Sequence, residues 1–432
     1  MIKKVRVEEL ETGMFIVDIN APWCYHPFFT NKIRVKGTKE IDKLKKYQIN
    51  EVYIDTDLGK DSKQAVPIDN ANKSIETKIK LTFSATSEKP MLLEKPATKE
   101  KSTTKEKAYP NNDELEFAKE TYEQTKKTIT DELQKIRLEE LVNPDHIEKS
   151  IILIVDSITQ NPEPMFIMTN LQSNDEYTFK HSINVAILSI LFGTHLNFSK
   201  KDLEIIGIGG LLHDCGKMKI PQEILNKPGL LSPDEFIEIK KHPDFGADFL
   251  ESTGLFDRRS VLVALQHHEK YSGGGYPTGN SGDRISIFGM MVAIADVYDA
   301  LTSDKPYKKS ILPFEALKKL YEWKDDHFNP SLVEHFIKAL GIYPIGSLVK
   351  LNNRYMGIVI SNKKTPLLQP EILLVSDNNN RFLSNKKIIN REEQANDQPD
   401  NWEISEVLNS NDYGIDIDYF LNNLKNISGT AF

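Results

Sequence analysis

The chain has 432 residues, of which 39% are hydrophobic and 27% charged, as is typical of a globular protein with two or three domains. Its net charge of −8 argues against general binding to nucleic-acid polymers, although a local basic cluster could still contact phosphates. Its two cysteines, Cys24 and Cys215, exclude a disulfide scaffold and suit a reducing compartment. The first residues lack a signal peptide and no apolar run reaches membrane-spanning length, so we expect a cytoplasmic protein without membrane contacts.

Three segments are predicted in the N-terminal third. Alternating strand formers and one short helix over residues 1–58 indicate a small α+β domain. Residues 59–112 are rich in Lys, Ser, Thr, Glu and Pro, which predicts a flexible linker. Residues 113–145 contain a charged helix with sparse apolar positions, which we interpret as a connecting helix or a dimer contact.

The remainder of the chain is predicted to be a helical bundle followed by a small β module. Residues 146–340 carry apolar residues at helical spacing in segment after segment, and a capping box at Ser232-Pro-Asp-Glu235 marks one helix start. Residues 341–390 contain short strands with Asn-rich turns, and residues 391–432 form an acidic tail with one short helix near 416–424. The predicted fold class is therefore mainly α.

A group of polar residues is predicted inside this bundle. The apolar run 205–212 ends at His213 and Asp214, and a buried histidine–carboxylate pair is costly unless a charged group such as a metal ion meets it. The simpler interpretation is a polar helix end with Gly216 as its C-terminal cap. Two metal ions, bridged by Asp214, could be held by the seven groups that lie at or near predicted helix ends or on inward faces: His181, His213, Asp214, His242, His267, His268 and Asp296.

Two further stretches indicate contacts with a ligand. After His268 comes a glycine-rich loop in which Gly275 and its neighbours allow close approach of backbone N–H groups, and Tyr276 offers an apolar ring with a hydroxyl. An ordinary surface loop is the alternative. Lys305 and Lys308 follow the helix that contains Asp296 and could hold phosphate oxygens, although alone they would indicate a solvated helix end.

The segments HDCGK, KPGLLSPDEFIEIKKHPDFG, HHEKYSGGGYP and ADVYDALTSDKPYKK resemble the signature segments of the HD-GYP domain, a subgroup of the HD metal-dependent phosphohydrolases. The resemblance covers about residues 147–340, and residues 1–58 more weakly resemble the small domain often found ahead of HD-GYP domains. It implies an HD-type helical catalytic domain and a bacterial phosphodiesterase that opens cyclic di-GMP to pGpG and, in many members, on to GMP. The alternatives are hydrolysis of another cyclic dinucleotide, such as cyclic GMP-AMP, and a signalling module whose catalysis is weak.

The resemblance also implies residue roles. His181, His213, Asp214 and Asp296 would ligate one metal ion, and His242, His267 and His268 would complete the second site with Asp214. Iron or manganese suits such an imidazole–carboxylate set. Lys217 would contact the scissile phosphate or protonate the leaving oxygen, Tyr276 would touch the substrate, and Lys305 and Lys308 would contact its phosphates. Signalling proteins that contact the GYP loop and a second copy of the chain are the partners considered.

Several positions depart from the family pattern. Ser272 stands where the family often has Asp, which weakens a loop or partner contact, and Lys305 replaces an Arg fork with a point charge. We interpret Cys215 as a small core residue and Glu269 as a partner of the histidines or a surface glutamate.

We expect two ions rather than three. Some HD-GYP proteins hold a third ion with a glutamate one helical turn before the first histidine, where this chain has Tyr177. The neighbouring acids, Asp175 and Glu176, would point in other directions from a regular helix.

Overall fold

Two β-sheets flank a helical domain in the computed structural model. The structure describes residues 1–20, 33–46, 49–62, 65–67, 112–138, 140, 142–170, 177–227, 231–304, 310–362, 368–389 and 402–424. The mainly α fold class is confirmed, with strands confined to the two ends of the described chain. Among the described helices, none has the length and apolar character that crossing a membrane requires.

The N-terminal domain is an antiparallel sheet covered by one helix. Its strands lie in the order β3-β2-β4-β1-β5, and they are β1 (Ile2–Arg6), β2 (Phe15–Asp18), β3 (Ile33–Arg34), β4 (Glu51–Asp55) and β5 (Val66–Pro67). Helix α1 (Thr38–Lys46) buries Leu44 and otherwise presents charged side chains to solvent. Leu44 joins Val5, Ile16 and Ile54 in a hydrophobic cluster that is separate from the core of the helical domain.

The helical domain contains longer elements. They are α2 (Asn112–Arg137), α3 (Pro144–Gln160), α4 (Pro162–Asn170), α5 (Tyr177–His195), α6 (Lys200–Leu212), α7 (Gln222–Leu225), α8 (Pro233–Ile239), α9 (His242–Thr253), α10 (Arg258–Gln266), α11 (Ile287–Thr302), α12 (Pro313–Trp323) and α13 (Pro330–Leu340). A 3₁₀ helix, Cys215–Lys219, follows α6 closely. The predicted capping box at Ser232 and Glu235 is present at the start of α8.

Helices α5, α6 and α11 form the centre of this domain. Nearly every residue of α11 from Phe288 to Leu301 is buried, and α6 is buried from Ile205 to its end at Leu212. A helix that is apolar on all sides is stable only when neighbours surround it. Since α5 packs against both α6 and α11, polar residues on these three helices are brought together in a dry interior.

Helix α2 belongs to the same core. Its apolar residues are widely spaced, but Ala118, Tyr122, Ile129 and Leu133 lie on one face and are buried against α3, α4 and α5. This face is therefore covered within the chain, as expected of a connecting helix, and a dimer contact through the remaining surface of the helix stays a prediction. Few apolar residues are enough to bury this face, because residues spaced three, four or seven positions apart lie on the same side of a helix.

The C-terminal module is a second antiparallel sheet, with strand order β10-β6-β7-β8-β9. The strands are β6 (Leu348–Leu351), β7 (Met356–Ser361), β8 (Glu371–Ser376), β9 (Phe382–Ile389) and β10 (Ile404–Leu408), followed by a short helix, α14 (Ile417–Asn422). The structure differs here from the predicted boundary at residue 390, because β10 comes from the predicted tail and pairs with β6. Its buried Ile404 and Leu408 are separated by exposed Ser405 and Glu406, a strand pattern that the acidic composition obscured.

Candidate metal centre

The ends of several helices meet at one buried place. His181 lies near the start of α5, Asp296 lies within α11, and His213 and Asp214 follow α6 directly. From the other side, His242 begins α9, and His267 and His268 follow α10. All seven are buried, with exposed fractions between 0 and 5%. The sequence-predicted ligands are thus brought together by helices that are distant in the chain.

The seven residues form two groups whose candidate ligand atoms lie within 4.8 Å of one another. In the first group, Nε2 of His181 lies 3.0 Å from Oδ1 of Asp296, and Nε2 of His213 lies 4.0 Å from the same oxygen. The second group comprises Asp214, His242, His267 and His268.

The Asp214 carboxylate lies between the two groups. Its Oδ1 atom is 3.2 Å from Nε2 of His242 and 3.7 Å from Nε2 of His267, and its Oδ2 atom is 3.3 Å from Nε2 of His213. One carboxylate can therefore offer an oxygen to each group. This is the arrangement that a bridging ligand requires.

Several buried polar atoms in the described part of the site lack hydrogen bonds and could be satisfied by a metal ion. Nε2 of His213, Oδ1 of Asp214 and Nδ1 of His268 are inaccessible to solvent and have no hydrogen-bond partner of acceptable geometry among the described residues. Leaving such atoms without a partner costs free energy in a dry interior. A divalent ion satisfies imidazole nitrogen and carboxylate oxygen at once, so the residues present fit a metal centre.

The outer nitrogens of four histidines are held by acceptors. In three of them Nδ1 donates to a backbone carbonyl oxygen. His213 donates to Gly210 at 2.7 Å, His242 to Ile239 at 2.7 Å and His267 to Ala264 at 2.9 Å. Nδ1 of His181 lies 2.7 Å from Oδ2 of Asp299. Since a carbonyl or carboxylate oxygen only accepts, Nδ1 carries a proton, and the nitrogen left for a metal is Nε2, which faces the centre. This tautomer is the one that ligates metals.

The electrostatics suit cation binding. Burial alone raises the pKa of Asp214, but the Lys217 ammonium and the His213 ring hold it well below its usual range. Burial likewise opposes ionisation of Asp296, yet hydrogen bonding to His181 lowers its pKa to about 2. Both carboxylates are therefore anionic at neutral pH.

The histidines of the second group are neutral. Burial lowers the pKa of His242 to about 4, and it lowers the pKa values of His267 and His268 as well. Burial also lowers the pKa of His181, but hydrogen bonds with Asp296 and Asp299 outweigh it and raise the value to about 9. Metal binding at His181 must therefore release a proton.

Gly216 makes room for helix α9. A Cβ atom at this position would overlap the carbonyl oxygen of His242 and lie only 2.5 Å from the Gly246 nitrogen. Helix α6 ends at Leu212 with His213 as its C-cap, so the interpretation of Gly216 as the helix cap is wrong. Glycine is needed here because a larger residue would push His242 away from Asp214. The adjacent Cys215 is buried, as expected of a small core residue.

The glycine-rich loop packs against the centre. A Cβ atom on Gly275 would lie 2.6 Å from Cα of Glu269, so this glycine permits the loop backbone to fold back on itself. Tyr276 donates its backbone N–H to the His268 carbonyl oxygen at 3.1 Å, and its ring centroid is 4.8 Å from that of His268. The Tyr276 ring is 7% exposed and forms a wall beside the second group.

Two residues anchor this loop. Glu269 is 3% exposed, and its Oε1 atom accepts bonds from the backbone nitrogen and the hydroxyl of Thr278 at 2.8 and 2.6 Å. The surface-glutamate interpretation of Glu269 is therefore wrong. Ser272 donates its hydroxyl to Oδ1 of Asp326 at 2.6 Å, so the loop contact that was expected to be weakened at this position is present.

Some predicted residues lie outside the described chain. They are Lys305, Lys308, Asp175 and Glu176, and the side chain of Tyr177. Conversely, the sequence interpretation missed Asp299, which holds His181, although its position three residues after Asp296 on one helix face was a usable signal.

A family model described as HD domain matches residues 165–332, and one described as domain of unknown function (DUF3391) matches residues 2–147. The chain is 31% identical over 373 residues to the cyclic di-GMP phosphodiesterase PA4108 of Pseudomonas aeruginosa, covering 86% of this chain and 84% of that protein.

Two other relatives match over shorter stretches. The cyclic di-GMP phosphodiesterase response regulator RpfG of Xanthomonas campestris pv. campestris is 40% identical over 34% of this chain and 40% of its own length. The 3′3′-cGAMP-specific phosphodiesterase 2 of Vibrio cholerae is 34% identical over 43% of this chain and 36% of its own length.

Proposed function

The chain belongs to the HD-GYP family of metal-dependent phosphodiesterases, and on that premise we propose that it hydrolyses cyclic di-GMP. The products are linear pGpG, GMP or both. The observation that supports this most is the complete set of seven buried ligands, divided into two groups with Asp214 between them. The Pseudomonas aeruginosa relative, of which the match covers 84%, is named a cyclic di-GMP phosphodiesterase.

The residues of the two groups would hold two divalent ions, with iron or manganese suiting the mixed imidazole and carboxylate donors. Bound there, the ions would supply Lewis acidity toward the phosphate and would lower the pKa of a nearby water. The protein fixes the donor atoms before binding, because Nδ1 of His213, His242 and His267 is already bonded to carbonyl oxygens. Preorganised donors lose little conformational entropy when the ions bind.

Lys217 is the side chain that we assign to the leaving group. Its Nζ atom lies 2.5 Å from Oδ2 of Asp214, and its side chain is 17% exposed, whereas Asp214 is 5% exposed. The ammonium thus joins the metal centre to the accessible side of the site. When the attacking oxygen bonds phosphorus and the P–O3′ bond breaks, Lys217 stabilises the departing oxygen or gives it a proton.

In this proposal the glycine-rich loop that contains Gly275 and Tyr276, the GYP loop, forms one wall of the substrate site. Tyr276 and Gly275 lie on the side of His268, and the Lys240 ammonium lies 4.9 Å from the Tyr276 ring centroid. A purine or ribose could rest on such a surface. Lys305 and Lys308 stay predictions for phosphate contacts. The exposed part of the loop, near Ser272 and Gly274, is where we propose that signalling proteins bind.

A second cyclic dinucleotide is the alternative substrate. It is favoured by the relative named 3′3′-cGAMP-specific, which shares 34% identity over 191 residues. The homodimer and the cytoplasmic location stay predictions from the sequence.

The test uses the full chain, stripped of metal and reloaded with Fe(II) or Mn(II) under anaerobic conditions. Cyclic di-GMP, 3′3′-cGAMP and linear pGpG are supplied separately, and products are separated by chromatography. We expect the highest kcat/KM for cyclic di-GMP and no turnover by Asp214→Asn. A higher kcat/KM for 3′3′-cGAMP would support the alternative, and metal-loaded protein inert toward all three would contradict the proposal.

A further inference from the structure

A chain of hydrogen bonds leads from the metal centre to helix α2. Nδ1 of His181 bonds Oδ2 of Asp299 at 2.7 Å, and Oδ1 of Asp299 accepts from the Asn184 amide at 2.8 Å. The Oδ1 atom of Asn184 accepts from the Tyr122 hydroxyl at 2.9 Å. All four side chains are buried, with exposed fractions of 8% or less. The last member, Tyr122, lies on the helix that follows the N-terminal segment.

Each bond in this chain has one allowed direction. A carboxylate only accepts hydrogen bonds. Nδ1 of His181 therefore carries a proton that it donates to one oxygen of Asp299, and the amide nitrogen of Asn184 donates to the other oxygen. The second amide hydrogen of Asn184 is directed at the Thr169 carbonyl oxygen, 3.3 Å away. The amide oxygen of Asn184 therefore faces Tyr122, whose hydroxyl is its donor. The Nδ1 proton of His181 and the hydroxyl of Tyr122 are linked through defined atoms.

From this geometry we propose that Tyr122 is a positioning residue for the metal ligand His181, acting through Asn184 and Asp299. The inference rests on the proposed metal centre and extends it to α2. Helix α2 packs on α3, α4 and α5, and α5 contains both His181 and Asn184. A shift of α2 that withdraws the Tyr122 hydroxyl leaves the Asn184 oxygen without its donor in a dry interior, so the amide reorients. The support for His181 then weakens.

The consequence is a route from the N-terminal part of the chain to metal affinity. The family model that matches the N-terminal region extends over residues 2–147 and so includes Tyr122. A structural change in the N-terminal region that moves α2 would then alter the orientation of His181 without any contact with the substrate site.

The experiment is a double-mutant cycle between Tyr122→Phe and Asp299→Ala in the full chain. Mn(II) dissociation constants are measured by chelator competition, and bound Mn(II) is followed by electron paramagnetic resonance. Disturbing a residue that supports a metal ligand typically weakens metal binding by about 10- to 100-fold. We expect that loss for Asp299→Ala, and a smaller loss with an altered Mn(II) spectrum for Tyr122→Phe. The Tyr122→Phe effect should disappear in the Asp299→Ala background, because the chain is already cut.

Tyr298→Phe is the matched control. Tyr298 is a buried tyrosine of α11 whose hydroxyl has no hydrogen-bond partner in the described part of the chain, so its removal should leave Mn(II) affinity unchanged. Should Tyr122→Phe lose helical circular dichroism, Asn184→Leu cuts the same chain at the next residue. Wild-type affinity in folded Tyr122→Phe, or additive effects in the cycle, would overturn this proposal alone. A wild-type protein that binds no Mn(II) would overturn the metal centre and the proposal together.

Discussion

Lys217 donates a hydrogen bond to Oδ2 of Asp214, the carboxylate whose other oxygen faces His242. The proposed bridging ligand is thus in direct contact with the proposed acid. Because Lys217 is partly exposed and Asp214 is not, the ammonium is the member of this pair that a phosphate can reach.

Lys217→Met should lower kcat by about 10²- to 10⁴-fold, the usual contribution of a positioned acid. The number of bound ions should not fall, since the substitution removes a cation and no ligand. Steady-state kinetics and metal analysis check both statements. Lys219→Met is the matched control, because Lys219 is exposed and lies two residues further along the same 3₁₀ helix. Equal kcat values for the two variants would contradict the role of Lys217.

Gly216→Ala should remove metal from the second group. The new Cβ atom would overlap the His242 carbonyl oxygen, and α9 must move away from Asp214 to relieve the overlap. Forcing a methyl group into a packed interior also lowers the free energy of unfolding by about 1–3 kcal/mol. Metal analysis and thermal melting measure the two effects. Gly37→Ala is the control, because a Cβ atom there meets no atom within 4 Å. Full metal content in Gly216→Ala would show that the close approach of α9 is not required.

The residues that ligate and the residues that support them differ in how well the sequence indicates them. The seven candidate ligands were indicated because His and Asp at helix ends in an apolar context are costly without a partner. The role of Gly216 was missed because it depends on α9, a helix whose approach no local pattern records. The link from Tyr122 to His181 was missed for the same reason, since its members come from α2, α5 and α11.

Glu371 makes the C-terminal module sensitive to pH. Its Oε2 atom is buried and has no hydrogen-bond partner among the residues that the structure describes, and burial together with the negative charge of Glu163 raises its pKa to about 7. Because the folded-state pKa lies above the ordinary value of 4.5, ionisation of Glu371 is disfavoured in the folded protein. Folding stability is therefore lost as the pH rises from about 4.5 through about 7.

Glu371→Gln should accordingly raise the melting temperature at pH 8 and leave it unchanged near pH 4.5, where the wild-type carboxyl is also neutral. Thermal unfolding at several pH values measures the difference. Glu406→Gln, at an exposed position of β10, should show no such dependence. If the difference in melting temperature between the wild type and Glu371→Gln were the same at every pH, the raised pKa assigned to Glu371 would be contradicted.

The N-terminal domain should be dispensable for chemistry. Its hydrophobic cluster is separate from that of the helical domain, although Trp323 donates its indole N–H to the Asn20 carbonyl oxygen across the boundary at 2.9 Å. A fragment beginning at Asn112 keeps α2 complete and should fold, bind metal and hydrolyse substrate. The predicted linker 59–112 begins too early, because β5 (Val66–Pro67) pairs with β1 in the N-terminal sheet. Limited proteolysis should cut first between β5 and α2, as the composition of that stretch predicts. A fragment that is folded and metal-loaded but inactive would show that the domain is needed for catalysis.

We propose that seven residues of this chain hold two metal ions with Asp214 between them. Crystals of Mn(II)-loaded protein, measured at the manganese absorption edge, test it directly. The anomalous map should contain two peaks per chain, one beside His213 and one beside His242. Asp214→Asn crystals should show weaker peaks. A third full-occupancy peak bound by Asp175 or Glu176 would contradict the number of ions, and the absence of any peak beside these histidines would contradict the metal centre itself.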